Sequence, residues 1–200
     1  LKVADEQDLA VVGEVEAVEV GRVTQYDEPD LVFLGRLAEA YGHCFSVRGQ
    51  QLVFHRLAAL DTAQQVLVLR RHQLTSYALK DQSRGSYSSV ELTYQDPHSG
   101  ELCAATQQAA GADRPDVLRL QVRAEHPAAA ELQARAALAA AQRRRVEGTV
   151  TFPGEPLVVA GVRLGLLDLG RLDGQYLVKQ SKHELRRGSG YTTVCEVQRA

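Results

Sequence analysis

The residue types that could carry chemistry are present but scattered. Cys44, Cys103 and Cys195 lie far apart, odd in number and without CxxC or Cys/His spacing, so neither a zinc site nor a disulfide framework is written in them. They read as small buried hydrophobes in a reducing compartment. The six histidines occur singly, with no HExxH and no pair four residues apart, which leaves zinc hydrolysis without ligands. His183, in an alternating stretch, reads as a packed or surface histidine rather than a base. Gly161, Gly165 and Gly170 are spaced GxxxGxxxxG, which is neither a dinucleotide fingerprint nor a Walker loop, and they read as turn and strand glycines. Ser86, Ser88 and Ser89 lack the GxSxG elbow of a nucleophilic serine. Glycoside hydrolysis needs two carboxylates about 5–10 Å apart across a cleft, but Asp27, Glu28 and Asp30 read as helix-start residues and Asp96 and Glu101 as turn residues. No catalytic, cofactor-binding or metal-ligating residue is assigned, and no cofactor is expected.

Elements that would position a site fit one large or two small domains in 200 residues and 21.9 kDa. No apolar run approaches the roughly 20 residues of a bilayer span, so membrane insertion is not expected. A net charge of −2 and a pI near 6.3 argue against a dedicated nucleic-acid binder. There is no methionine, even at position 1, and no signal-peptide pattern, so the chain is expected to be an excised piece of a longer one. Charge is uneven: residues 1–30 carry nine acids against Lys2 and Arg22, a net of −7 that leaves +5 for the rest. Such an acidic leader is either a solvated tail or one side of a docking surface, and its VVGEVEAVEVGRV stretch alternates as a half-exposed strand does.

Asp27 is placed to cap a helix carrying Leu31, Leu34, Leu37, Ala38 and Tyr41 on one face, ended by Gly42. That face is expected to pack on the sheet holding Val90 and Leu92. HCFSV and LVF, joined by Arg48, Gly49, Gln50 and Gln51, read as a hairpin. Strands follow at VLVLR, LTSYAL and SSVELTY, where Val90, Leu92 and Tyr94 share a face. DPHSGE reads as a turn, residues 106–115 as a surface loop, and VLRLQV as a strand again. Pro127 opens a long helix of alanine, leucine and arginine whose last turn holds Arg143, Arg144 and Arg145, cations suited to the helix dipole. After Gly148 the pattern is β to the end, with GQYLVKQSKHEL and YTTVCEVQ as a long antiparallel pair around RRGSG.

The fold class expected is α+β, β-rich, with antiparallel sheets closing into a tube-like barrel and two main helices at about 28–41 and 127–145. The domains expected are an acidic leader at 1–29, a helix-plus-sheet domain at 30–115 and a barrel-like domain with the long helix at 116–200. Their boundary is soft enough for the last two to interleave.

The opening YDEPDLVFLGRLAEAYGHCFSVRGQQLVF, the central LTSYALKDQSRGSYSSVELTYQDPHSGE, and the closing FPGEPLVVAGVRLG with DGQYLVKQSKHELRRGSGYTTVCEVQ together resemble the phage late control protein D family. The resemblance covers most of residues 22–198 in order and rests on the combination of segments. These are tail hub proteins of contractile phages, similar in role to the hub part of type VI secretion spike proteins. The resemblance implies a homotrimeric ring of tube-like barrels, two per subunit, that joins the tail tube to the spike. It also implies partners among tube and spike proteins, no specific nucleic acid, and residence in the virion baseplate after assembly in the host cytoplasm. An upstream barrel domain belongs to the family pattern and lies outside these residues. Family members often carry tryptophan where this chain has none. A transcriptional role, suggested by the family's name, lacks a basic reading helix. The other function class weighed is a tail-associated peptidoglycan hydrolase, supported only by exposed carboxylates such as Asp96 and Glu101. A carbohydrate-binding module would need more surface aromatics than a 6% aromatic content supplies.

Overall fold

The computed structural model describes residues 2–18, 20, 22–62, 64–82, 87–110, 116–188 and 190–200. Its elements in chain order are α1 (Lys2–Glu6), β1 (Ala10–Val12), α2 (Asp30–Ala40), β2 (His43–Arg48), β3 (Gln51–Arg56), α3 (Leu57–Asp61), β4 (Gln65–Arg70), β5 (Ser76–Asp81), β6 (Ser89–Gln95), β7 (Leu102–Gln108), β8 (Val117–Gln121), α4 (Pro127–Arg143), β9 (Val146–Pro153), β10 (Arg163–Leu167), β11 (Gly174–Arg186) and β12 (Gly190–Arg199). They group into two units, residues 1–58 with 87–140, and residues 59–86 with 141–200. Residues on both sides of the expected boundary at 115 share the first unit, because β8 is laid beside β6.

The first unit opens on a three-stranded sheet, order β1-β3-β2. Gly49, at φ +58, closes the two-residue turn that pairs β2 with β3 from His43↔Arg56 to Arg48↔Gln51. On this sheet lies α2, which buries Leu34 with Leu52 and Ala4, and Phe33, Phe45 and Phe54 pack against them. Two expectations are corrected here. The helix starts at Asp30, not 28, with Pro29 as an extended N-cap at ψ 151 and no side-chain cap bond. Pro29 forces its predecessor out of helical geometry, and Asp27 instead turns the chain at φ 46. Second, the apolar face of α2 meets this hairpin rather than Val90 and Leu92, and Leu31 is exposed.

Val90, Leu92 and Tyr94 belong to a separate core in the same unit. They line one face of the sheet β7-β6-β8 and pack under Ala130, Ala134 and Leu138 of α4. Residues 106–108, expected in a loop, are the end of β7, held in register by Ser89↔Gln108 and Glu91↔Thr106. Pairing overrides the weak strand preference of Gln and Ala there, and residues 111–115 of that expected loop lie outside the described residues. Another face of α4 meets the end of α2. Gln133 Nε2 donates to Tyr41 Oη at 3.0 Å, and a Cβ on Gly42, at φ +70, would stand 3.2 Å from the Ala136 Cβ. Glycine is required at 42 on both counts.

The second unit is one six-stranded sheet, order β4-β10-β11-β12-β9-β5. Its two edge strands are consecutive in the chain, joined only through residues 71–75, and the sheet curls into a half-barrel. Val150, Phe152, Leu164, Leu166, Tyr176 and Val197 fill the curl. Tyr176 keeps its hydroxyl satisfied by donating to the Leu172 carbonyl at 2.6 Å. Gly148, at φ +155, lets β9 pass β5 so closely that a Cβ there would lie 2.0 Å from the Ala78 oxygen. The long helix ends at Arg143 rather than 145, and Arg143 is buried in a two-point ion pair with Asp61. Each sheet carries one parallel pair, β1–β3, β4–β10 or β6–β8, so the sheets are mixed rather than purely antiparallel. The intervening segments are long enough for a crossover at every one.

Candidate functional site

The chemistry-bearing residues are held in structural roles. Asp96 Oδ1 accepts the backbone N–H groups of His98 at 2.7 Å and Ser99 at 3.2 Å, shaping the β6–β7 turn. Those bonds hold its carboxyl below the usual range, the wrong direction for a proton donor, and Glu101 in the same turn is exposed. Glu28 is likewise lowered by its hydrogen bond to Arg36. Ser88 donates to the Asp116 carbonyl at 2.9 Å and Ser89 lies in β6; Ser86 lies outside the described residues. Cys195 is buried and its thiol is pushed up to about 11 by burial, and Cys44, half-buried, is shifted the same way. Gly161 and Gly170 sit at positive φ in turns and Gly165 in β10 beneath the Gln65 side chain.

Two histidines do something no local pattern announced. His55 Nδ1 accepts the backbone N–H of Glu14 at 2.8 Å, and His43 Nε2 accepts that of Glu16 at 3.3 Å. His43 Nδ1 must then carry the proton donated to the Tyr41 carbonyl at 2.8 Å, and burial lowers the ring's pKa, keeping it neutral. Arg56 pairs with the Glu14 carboxylate and Arg135 with that of Glu16. This part of the acidic leader is therefore fastened down although it is largely exposed, and among the described residues of its alternating stretch only Val11 and Val12 lie in a strand. The fastening partners lie 27 to 119 residues away, beyond the reach of any local signal.

Within the second unit, the segment joining β4 to β5 lines two openings. One of about 700 Å³ is walled by Arg71, His72, Leu74, Tyr77 and Asp168, the other, about 500 Å³, by Leu67, Leu69, Leu74, Phe152 and Glu155. Arg71 donates to Tyr77 Oη at 2.7 Å and Arg70 pairs with Asp168. His72 and Thr75 line both openings and Ser76 the first, and among the described residues no hydrogen bond joins the ring to either hydroxyl. On the β11–β12 hairpin, His183 Nε2 donates to the Val158 carbonyl at 3.0 Å, which leaves Nδ1 to accept from Tyr191 Oη at 2.8 Å or Thr193 Oγ1 at 3.2 Å. The ring ties the hairpin to the 154–160 loop. The described residues form three sheets with edge strands and one long hairpin, β11–β12.

The sequence of residues 8–189 matches the family model of the phage tail baseplate hub (GPD). The chain belongs to that family. The resemblance carried by residues 22–198 is thus shown. Solved structures with the same fold include a tail protein from Neisseria meningitidis MC58, at TM-score 0.74 and 18% identity over 99% of this chain and 66% of that one. The 43 kDa tail protein of prophage MuSo2 from Shewanella oneidensis matches at TM-score 0.67 and 16% identity, over 99% of this chain and 65% of that one. A chain in the virion of a native gene transfer agent particle matches at 0.55 and 19%, over 84% and 38%. This hub chain spans just under two thirds of the length of the first two. No curated protein sequence matches it significantly. The family it belongs to is one of phage tail baseplate hubs, and no helix among the described residues is long and apolar enough to cross a membrane.

Proposed function

We propose that the chain is a non-enzymatic part of the hub of a contractile phage tail or phage-like injection device, in which three copies form a ring joining the tail tube to the spike. The family match over residues 8–189 carries the reading. The curled six-stranded sheet supports it, because a curled sheet with two open edges suits a ring wall better than a catalytic cleft. In this reading the ring is assembled in the host cytoplasm and stays in the baseplate, with tube and spike proteins as neighbours. Electron microscopy of the parent particle with this chain labelled tests it. Label at the junction of tube and spike is the expected result, and label confined to capsid or sheath overturns it. A peptidoglycan turnover assay addresses the hydrolase reading: no activity is expected, and turnover lost in Asp96→Asn or Glu101→Gln would displace the structural reading.

A further inference from the structure

The segment that follows β1 crosses the β2–β3 hairpin as a strap, and it is held there by atoms that can also take up a proton. It leaves β1 through Gly13, at φ +125, where a Cβ would lie 2.3 Å from the Phe54 carbonyl oxygen and 3.0 Å from the His55 Cβ. Only glycine lets the chain pass so close. Beyond it Glu14 and Glu16 donate their backbone N–H groups to the hairpin, to His55 Nδ1 at 2.8 Å and His43 Nε2 at 3.3 Å. The Arg56 N–H adds a third bond, to the Glu14 carbonyl at 3.1 Å.

Both imidazoles meet the strap through their one unprotonated nitrogen. His43 donates its proton from Nδ1 to the Tyr41 carbonyl, which leaves Nε2 as the lone pair. His55 accepts at Nδ1, so the neutral ring carries its proton on Nε2. An added proton therefore goes to the very nitrogen that accepts a backbone N–H, and sets a donor against a donor. The carboxylates that could offset the new charge are already engaged, Glu14 with Arg56 of β3 and Glu16 with Arg135 of α4. Cys44, paired across from His55 on β2, offers no charge, since burial pushes its thiol up. Burial is the largest influence on His43 and lowers its pKa, with Arg56 and His55 adding to it against the Tyr41 carbonyl and Glu16.

We propose that residues 13–16 are a strap released by acid: neutral His43 and His55 hold it down, and their protonation lifts Glu14 and Glu16 off the β2–β3 hairpin. The same opening parts Glu14 from Arg56 and Glu16 from Arg135, so that it uncovers two guanidinium groups. Every contact involved lies inside the first unit, and the inference stands apart from the hub reading. Because the closed strap favours neutral rings, its hold is complete above the ordinary imidazole pKa of about 6.5 and is lost as pH falls below it.

Amide hydrogen exchange followed by NMR on the full chain, between about pH 7.5 and 5.5 and corrected for intrinsic exchange, tests the strap. Protection of Glu14 and Glu16 should fall about tenfold or more over that range, a factor of about ten for each histidine that must charge. The amides of Val90 and Leu92 in β6 should not follow. Imidazole ¹⁵N shifts should show the Nδ1–H form of His43 and the Nε2–H form of His55. His55→Asn sets an oxygen that does not titrate where Nδ1 stands, and should take about a factor of ten out of the fall at Glu14. His43→Gln should do the same at Glu16; His43 is buried and His55 half-buried, so the His55 variant decides if the other misfolds. Level protection of Glu14 and Glu16, a fall at Glu14 that His55→Asn leaves unchanged, or a fall shared by Val90 and Leu92 overturns the proposal.

Discussion

The two units solve the same problem with opposite materials. The second wraps one sheet around large side chains, with Phe152, Leu164, Leu166 and Tyr176 all at 1% exposure or less. The first divides its apolar residues between two three-stranded sheets, and half of the buried residues in the contact under α4 are small, Ala105, Ala124, Ala130 and Ala134. A curled sheet needs bulk to fill its concavity, whereas a helix lying on a short flat sheet gains most by close approach. The second unit is therefore sensitive to lost volume and the first to added volume.

Substitutions that break this contrast can be ranked by size. Phe152→Ala removes the aromatic centre of the curl and should cost about 3–5 kcal/mol, read by denaturant unfolding. It should also bring forward alkylation of Cys195, whose pKa of about 11 keeps the folded thiol protonated. An unchanged labelling rate would show that the curl is held from elsewhere. Ala134→Leu forces extra carbon under α4 and should cost about 1–3 kcal/mol, while the reverse logic makes a volume loss at the same site mild. Tyr41→Phe removes the hydroxyl that accepts from Gln133 and should cost about 0.5–1.5 kcal/mol. The smallest effect is at Asp96, whose carboxyl is held below the usual carboxylate range by its backbone hydrogen bonds to His98 and Ser99. A carboxyl lowered on folding stabilises above its unfolded value and loses that contribution as pH falls through the folded one. Asp96→Asn should flatten the acid limb of the stability curve, and titration of Asp96 by NMR should give a lower value in the folded chain than in the unfolded one.

The same contrast separates what local pattern conveys from what it does not. Gly49 between two apolar runs, the alternation of β6, the proline opening α4 and the long closing hairpin are local signals, and each element stands where those residues put it. The partner of α2 was not legible, because Leu34 and Ala38 suit the Leu52 hairpin and the Val90 sheet equally well until the chain is closed. The end of β7 was hidden for a related reason: Thr106, Gln107 and Gln108 are strand residues only because β6 pairs with them. The parallel pairs were invisible, since β4 and β10 meet across nearly half the chain. The turn shaped by Asp96 was readable in the DPHSGE spacing. The fastening of residues 14–16 by His55 and His43 was not, because backbone N–H groups leave no mark in composition.

Interleaving of the two units also sets a timetable. β4 and β5, the edges of the curled sheet, leave the ribosome together, but β9, which pairs with β5, begins 65 positions after β5 ends, and β10, which pairs with β4, follows later still. At about 5–20 residues per second that is a wait of about 3–13 s. During it the nascent chain displays two strands with no neighbours, QVLVLR and SYALKD, while the residues of β6 to α4 emerge between them and their partners. The charged residues that punctuate these strands, Arg70, Lys80 and Asp81, keep the waiting edges from pairing with those of another nascent chain.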